Sequence, residues 1–206
     1  MLPFNRIHTA FANRFPRIVV PSPDFPMHSA YDASRFLNPA RLVNDLDIRS
    51  GSNVLEIGLP IGFFAPALLN KVGDEGTVYV AGPNQDSFGK LSHLKSRKNL
   101  QPRLLADILT GEAISAGEID TVILTNLLSS TIKPDSFCLA IGQFMNATSE
   151  IILIDWDNKD KNVGPLMERR VTKEDALKLM HSCGMRFKRV LNLPGYHYGM
   201  VFSFEK

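Results

Sequence analysis

Cysteine is nearly absent. Cys138 and Cys183 are the two cysteines in 206 residues, and neither has a partner at metal-ligand spacing. They exclude a disulfide framework and a thiolate metal site, and they are read as reduced, part-buried thiols of a cytoplasmic protein. No apolar stretch approaches the ~20 residues that span a bilayer, so no membrane partner is expected. Long Lys/Arg runs are missing too: the formal net charge is +2, with bases and acids interspersed, which gives no reason to expect nucleic acid. Internal repeats and low-complexity tracts are also lacking. What remains is an ordinary mixture, 44% apolar and 21% charged. That length and mixture suit one α/β domain with a sizeable core and are too small for two large ones.

The amino-terminal stretch differs from the rest. Residues 1–26 hold five prolines and three arginines, and their first acid is Asp24. Such a leader is poor in serine and interrupted by proline, which argues against a transit peptide. Residues 1–33 are therefore expected to be an irregular, Pro-rich arm packed on the domain or on a partner. An arm of this kind is also able to cover a cofactor, and it leaves open a homo-oligomer or a protein partner engaged through it. The domain proper is expected over 34–206.

Along that domain, apolar residues from Ser34 to Leu46 recur at helical spacing. Val54-Leu55-Glu56-Ile57 reads as a buried strand, Gly62 to Val72 as a helix ended by Gly73, and Thr77 to Ala81 as a second strand. A helix is expected over Asp86–Leu94, a short strand at Arg103–Leu105, a fourth strand over Ile119–Leu124, a helix over Asp135–Met145 and a fifth strand over Glu150–Trp156. Thr172 heads the last helix, since Thr172-Lys173-Glu174-Asp175 resembles a capping box. Met185–Leu193 and Tyr196–Phe204 then read as two strands joined by Pro194-Gly195. Alternating strands and helices followed by a hairpin imply a mainly parallel sheet with an antiparallel edge strand.

The most informative stretch is NVLEIGLPIGFFAPALL, Asn53 to Leu69. An apolar strand, a tight turn and an apolar helix in succession are how an open α/β sheet offers a nucleotide-like ligand a strand's carboxyl end and a helix's amino end. Four stretches then resemble the class I S-adenosylmethionine-dependent methyltransferases, in order and over about residues 34 to 204. They are VLEIG at 54–58, GTVYVAG at 76–82, EIDTVILTNLL at 118–128, and IILIDWDNKDKNVGP at 151–165 followed by ERRVTKEDALKLMHSCGMRF at 168–187. The last resembles the branch acting on quinones and other small molecules. The implied fold is α/β, Rossmann-like and doubly wound: a mainly parallel seven-stranded sheet with an antiparallel C-terminal strand and helices on both faces.

The resemblance implies S-adenosylmethionine as cofactor and assigns its contacts. Gly58, Leu59 and Gly62 belong to the turn facing the methionine end, where glycine admits close backbone approach. Glu56 matches the motif's acid, and its alternative role is a carboxylate that ties the loop together. Asp107 matches the acid near the adenine amino group, or else is a helix cap. Thr125 and Asn126 end the strand that would face the sulfonium, with Asn126 equally readable as a turn residue. Two positions depart from the pattern. Pro60 stands where a second glycine is usual, fixing φ and donating no hydrogen bond. Gly82 stands where an acid would accept from both ribose hydroxyls, leaving Asn84 or Gln85 as substitutes. Phe63-Phe64 is either a cofactor wall or core.

Methyl transfer needs proximity, in-line orientation and removal of the acceptor's proton rather than a protein nucleophile. Candidate bases are Asp155, Asp157, His181 and His197. Their plainer readings are loop caps for Asp155 and Asp157, an exposed helix residue for His181 and an edge-strand residue for His197, which alternation sets opposite Tyr196 and Tyr198. No metal site is expected. The expected function is methyl transfer to a small-molecule acceptor. Two rivals stand beside it: a methyltransferase-like domain that has lost the reaction and serves in binding or assembly, and a crevice refitted for a different ligand.

Overall fold

The computed structural model describes residues 37–130, 137, 140–159 and 163–204. The expected arm, Cys138 and the first residues of the helices expected over 34–46 and 135–145 lie outside the described residues. The strands are β1 (Asn53–Gly58), β2 (Thr77–Gly82), β3 (Leu100–Leu104), β4 (Ile119–Thr125), β5 (Met145–Trp156), β6 (Met185–Leu191) and β7 (His197–Phe204). They form one sheet in the order β3-β2-β1-β4-β5-β7-β6. The pairs β1–β2, β1–β4, β2–β3 and β4–β5 are parallel, while β7 runs antiparallel to both β5 and β6. The expected doubly wound sheet with an antiparallel C-terminal strand is the observed one, but that strand, β7, lies between β5 and β6 rather than at the expected edge, so His197 is not an edge-strand residue.

The interior strands are buried on both faces, which is why they read as continuous apolar runs instead of alternating ones. One face carries Leu55, Ile57, Leu124, Leu153 and Met200 under α3 (Leu105–Thr110) and α4 (Lys173–Ser182). The other carries Val54, Val80, Ile123, Ile154 and Val201 under α1 (Pro39–Asn44) and α2 (Ala65–Val72). The parallel strands all end on one edge, and β7 begins there, with His197 opposite Trp156. Chain order reverses between β1 and β4, so the crevice of this open sheet falls between those two strand ends.

Local chemistry explains the element boundaries. Asn38 caps α1 by accepting from Arg41 N at 3.0 Å, and Thr172 caps α4 by accepting from Asp175 N at 3.1 Å, as its sequence implied. The helix expected from Gly62 begins at Ala65, because Gly62 sits at φ 70° in the turn that precedes it. Residues Gln85–Leu94 coil as a 3-10 helix instead of an α-helix. β3 starts earlier than expected, at Leu100, and β5 starts at Met145, where a helix end was expected. The final hairpin is joined by residues 192–196, a longer connection than the Pro194-Gly195 turn. No helix among the described residues is long and apolar enough to cross a membrane.

Leu68 of α2 is fully buried against the sheet. Leu68→Ala is expected to lower unfolding free energy by about 2–5 kcal/mol, read as a lower urea midpoint. Lys178→Ala on the exposed side of α4 should stay within about 0.5 kcal/mol of the parent.

Candidate functional site

The turn after β1 is held from both sides. Helix α2 has no side-chain cap from its own N-cap residue, Phe64. Glu56 supplies one from within β1, its Oε1 accepting from Phe64 N at 2.9 Å. On the other side Leu59 N donates to Thr125 O at 3.0 Å, and Asn126 Nδ2 donates to Leu59 O at 3.0 Å. Asn126 itself adopts a left-handed backbone, φ 52°, and donates through its own N to Ile154 O at 2.8 Å. Glu56, Gly58, Leu59, Thr125 and Asn126 are thus brought together at the reversal point. The Leu59–Pro60 peptide is cis.

Two glycines of this region answer to packing. A Cβ on Gly58 would stand 2.4 Å from Thr125 O, so β1 and β4 close up only around a glycine there. A Cβ on Gly62 would stand 2.3 Å from Leu91 Cδ2, the apolar residue by which the 3-10 helix covers the turn. Phe64 is fully buried core, while Phe63 is half-buried and meets it edge to face, with centroids 4.9 Å apart.

Not every polar atom here is satisfied. Glu56 is 2% exposed, yet its Oε2 has no hydrogen-bond partner, and neither has the hydroxyl of Thr125, also 2% exposed. Burial pushes the Glu56 carboxyl up to about 8, against the opposing pull of the Phe64, Ala65 and Phe63 N–H groups. Each buried polar group left unmade costs about 1–3 kcal/mol, so such atoms mark places where function or an added ligand must be sought.

The β2 end is built differently. Gly82 is buried, and a Cβ there would meet Ser87 Oγ at 2.4 Å and the Phe88 ring at 2.6 Å. The space a ribose-binding carboxylate would occupy is filled by protein. Asn84 caps the 3-10 helix, its Oδ1 accepting from Ser87 N at 3.0 Å. Asp107 stands in the first turn of α3, half-buried, just beyond β3.

At the far side of the edge, Asp155 is fully buried and uses both oxygens: Leu128 N donates to Oδ2 and Trp156 N to Oδ1, each at 2.8 Å. It thereby fixes the turn after β4, and burial lifts its carboxyl to about 6. Asp157 is half-buried, pairs with Lys159 at 3.2 Å and is bonded through its N to Tyr196 O at 2.7 Å. His181 is exposed in the last turn of α4. His197 is 2% exposed, lies with its ring centroid 4.1 Å from that of Trp156, and has no partner on either ring nitrogen. Burial first, and the Arg170 charge second, hold its imidazole down to about 4.

Arg170 was not foreseen as a site residue. Its guanidinium donates to the carbonyls of Pro165 at 2.9 Å, of Asp157 at 2.6 Å and of Val163. Backbone carbonyls carry no residue identity, so no motif announces such a bond. Ser87 and Phe88, which fill the Gly82 space, were missed because their position depends on how the 3-10 helix lies. Among the described residues no group of His, Cys, Asp and Glu side chains is placed to hold a metal ion.

The Glu56 carboxyl gives a pH signature. Its folded value lies above its ordinary 4.5, so the stability it contributes is complete below about 4.5 and is lost as pH rises toward 8. Urea unfolding of Glu56→Gln beside the parent should show the variant gaining relative stability between pH 5 and 8, since the amide never ionises. An unchanged difference across that range would mean that the parent carboxylate finds a compensating partner.

No protein-family model and no curated protein sequence matches the chain. Solved structures do. A SAM-dependent methyltransferase from Aquifex aeolicus superposes with a TM-score of 0.75 at 19% identity, covering 84% of this chain and 93% of that one. A TehB-like SAM-dependent methyltransferase from Corynebacterium glutamicum gives 0.61 at 13% identity, covering 81% and 87%. PigF with SAH gives 0.61 at 17% identity, covering 86% of this chain and 65% of that one. At these identities the likeness is one of architecture: the chain, with its mixed seven-stranded sheet, has the Rossmann-like fold of these methyltransferases.

Proposed function

We propose that the chain binds S-adenosylmethionine where β1 and β4 diverge and directs its methyl group to a small-molecule acceptor. The observation that carries this reading is the pair of buried, unpartnered polar atoms, Glu56 Oε2 and the Thr125 hydroxyl, at the reversal point of the sheet. A crevice that withholds partners from a carboxyl and a hydroxyl is suited to a ligand end carrying an ammonium and a carboxylate. The shared fold with SAM-dependent methyltransferases, one of them with SAH, supports the choice of ligand.

The residues present fit that cofactor unevenly. Glu56, the backbone from Gly58 to Leu59, Thr125 and Asn126 would hold the methionine end, and Asp107 the adenine end. Pro60 offers the ligand no N–H. At the ribose, Gly82 supplies no carboxylate, and Asn84 Oδ1 is already engaged by Ser87. A charge-assisted hydrogen bond contributes about 1.5–3 kcal/mol, so affinity at least about tenfold below that of a site with the acid is expected. When bound, the cofactor supplies an electrophilic methyl group. The protein's part is to orient the acceptor and keep water out.

One observation favours the second reading, a domain that keeps the fold for binding or assembly. The ribose space is not merely unlined but filled by Ser87 and Phe88.

Isothermal titration and thermal unfolding with S-adenosylmethionine and S-adenosylhomocysteine separate the two readings. Heat of binding and a raised melting temperature at millimolar ligand are expected, and their absence would leave the second reading. Gly82→Asp alone should destabilise the fold, because its side chain meets Ser87 and Phe88. Combined with Ser87→Ala and Phe88→Ala, it should tighten S-adenosylhomocysteine about tenfold.

A further inference from the structure

Gln85–Leu94 is a run of ten residues in 3-10 helix, placed directly after β2. Runs beyond about three or four residues are uncommon, because the hydrogen bonds of this coil are poorly aligned. What the coil provides is a straight row, since side chains at i and i+3 stand one above the other. Phe88, Leu91 and Leu94 fall at that spacing. All three pack on the apolar cluster under α1 and α2, while Asp86, Lys90, Ser92 and His93 are exposed.

Two members of the row end where the chain has no side chain of its own. The Phe88 ring lies against Gly82 at the end of β2, where a Cβ would stand 2.6 Å from Cε1. Leu91 lies against Gly62 in the turn after β1, where a Cβ would stand 2.3 Å from Cδ2. These are the two points between which an open α/β sheet holds a nucleoside, with the glycine turn at one end and the ribose at the end of the second strand. The seated row and a nucleoside therefore claim the same place.

Polar bonds do not fasten the row there. Among the described residues no hydrogen bond or ion pair joins Gln85–Leu94 to another strand or helix. Its bonds are local: Ser87 to Asn84, Lys95 N to Ser92 O and Arg97 N to Leu94 O. Polar anchors resume just beyond it, where Arg97 Nη2 donates to Leu69 O at 2.9 Å and Asn99 Nδ2 to Gly73 O at 2.8 Å. On the other side Gly82 is paired with Leu104 in the sheet. The stretch between is held by apolar contact alone, which has no direction and is released as a unit.

We propose that Gln85–Leu94 is a plug that closes the nucleoside half of the crevice in the free protein, and that S-adenosylmethionine binds by unseating Phe88 and Leu91. The proposal rests on the methyltransferase reading and adds the control of that site. A ligand that needs a minor open state binds more weakly in proportion to that state's population. Trimming a peg of the plug therefore tightens binding, whereas trimming a wall that touches the ligand weakens it.

Amide hydrogen–deuterium exchange of the full chain, with and without millimolar S-adenosylhomocysteine, tests this. Exchange across 85–94 is expected to rise on adding the ligand while exchange across 54–64 falls. Phe88→Ala alone, which restores no ribose-binding carboxylate, should bind S-adenosylhomocysteine about threefold more tightly than the parent by isothermal titration. Unchanged or falling exchange across 85–94, or binding by Phe88→Ala no tighter than the parent's, would overturn the plug and leave the methyltransferase reading standing. Exchange in the parent alone decides should the variant fail to fold. Binding by the variant and not by the parent supports the plug. Absence of binding by both removes the methyltransferase reading, and the plug with it.

Discussion

The hydrogen bond from Phe64 N to the Glu56 carboxyl joins the central strand to the helix that follows it, and the site is built around that junction. Helix amino ends leave several N–H groups unmade, and α2 has no cap of its own. An acid placed inside β1 meets the need from the strand side and so sets how far the turn extends. The arrangement has a consequence for charge. The carboxyl is buried and pushed up to about 8, so near neutral pH it is held largely as the acid. Its second oxygen remains buried and unpartnered, while Leu59, Thr125 and Asn126 bond one another across the same turn.

The remainder of the edge falls into two parts of opposite character. Toward β2 and β3 the protein fills its own space: Gly82 is covered by Ser87 and Phe88, and Gly62 by Leu91. Toward β4, β5 and β7 it leaves polar atoms unmade, on Thr125 and on His197. Arg170 shapes this second part by gathering the carbonyls of Asp157, Val163 and Pro165, and Gly164 packs so closely on the Trp156 ring that a Cβ would stand 2.5 Å from Cε3. On the proposed function, recognition therefore leans on the methionine and acceptor ends of the crevice and little on the ribose.

Much of the fold was legible in the sequence because parallel strands buried on two faces leave an unmistakable apolar signature. VLEI, VYVA, IDTVILT and IILIDW all became strands, and the acid-bearing end of the first one fell at the reversal point. Thr172 capped its helix as its spacing implied, because capping depends on residues three positions apart. Boundaries were less legible: β3 and β5 start earlier than their patterns show, since β2 pairs as far back as Leu100 and Gln101, and β4 pairs with Met145 ahead of an irregular stretch that the apolar pattern does not mark. The departures at Pro60 and Gly82 were also visible, as residue types out of place.

Read from the chain alone were the order of the strands, the strand whose end lies at the reversal point of the sheet, and Pro60 and Gly82 as residues that depart from the family pattern. Those properties follow from periodicity and from the identity of single residues along the chain. Only the tertiary structure decided which polar atoms are matched and which are left unmade. Asp155 and His197 looked alike as candidates, yet one is bonded through both oxygens and the other through neither nitrogen. The reason is that hydrogen-bond satisfaction depends on backbone groups brought in from distant segments, as Leu128 is to Asp155, and such groups carry no residue identity for a sequence to display.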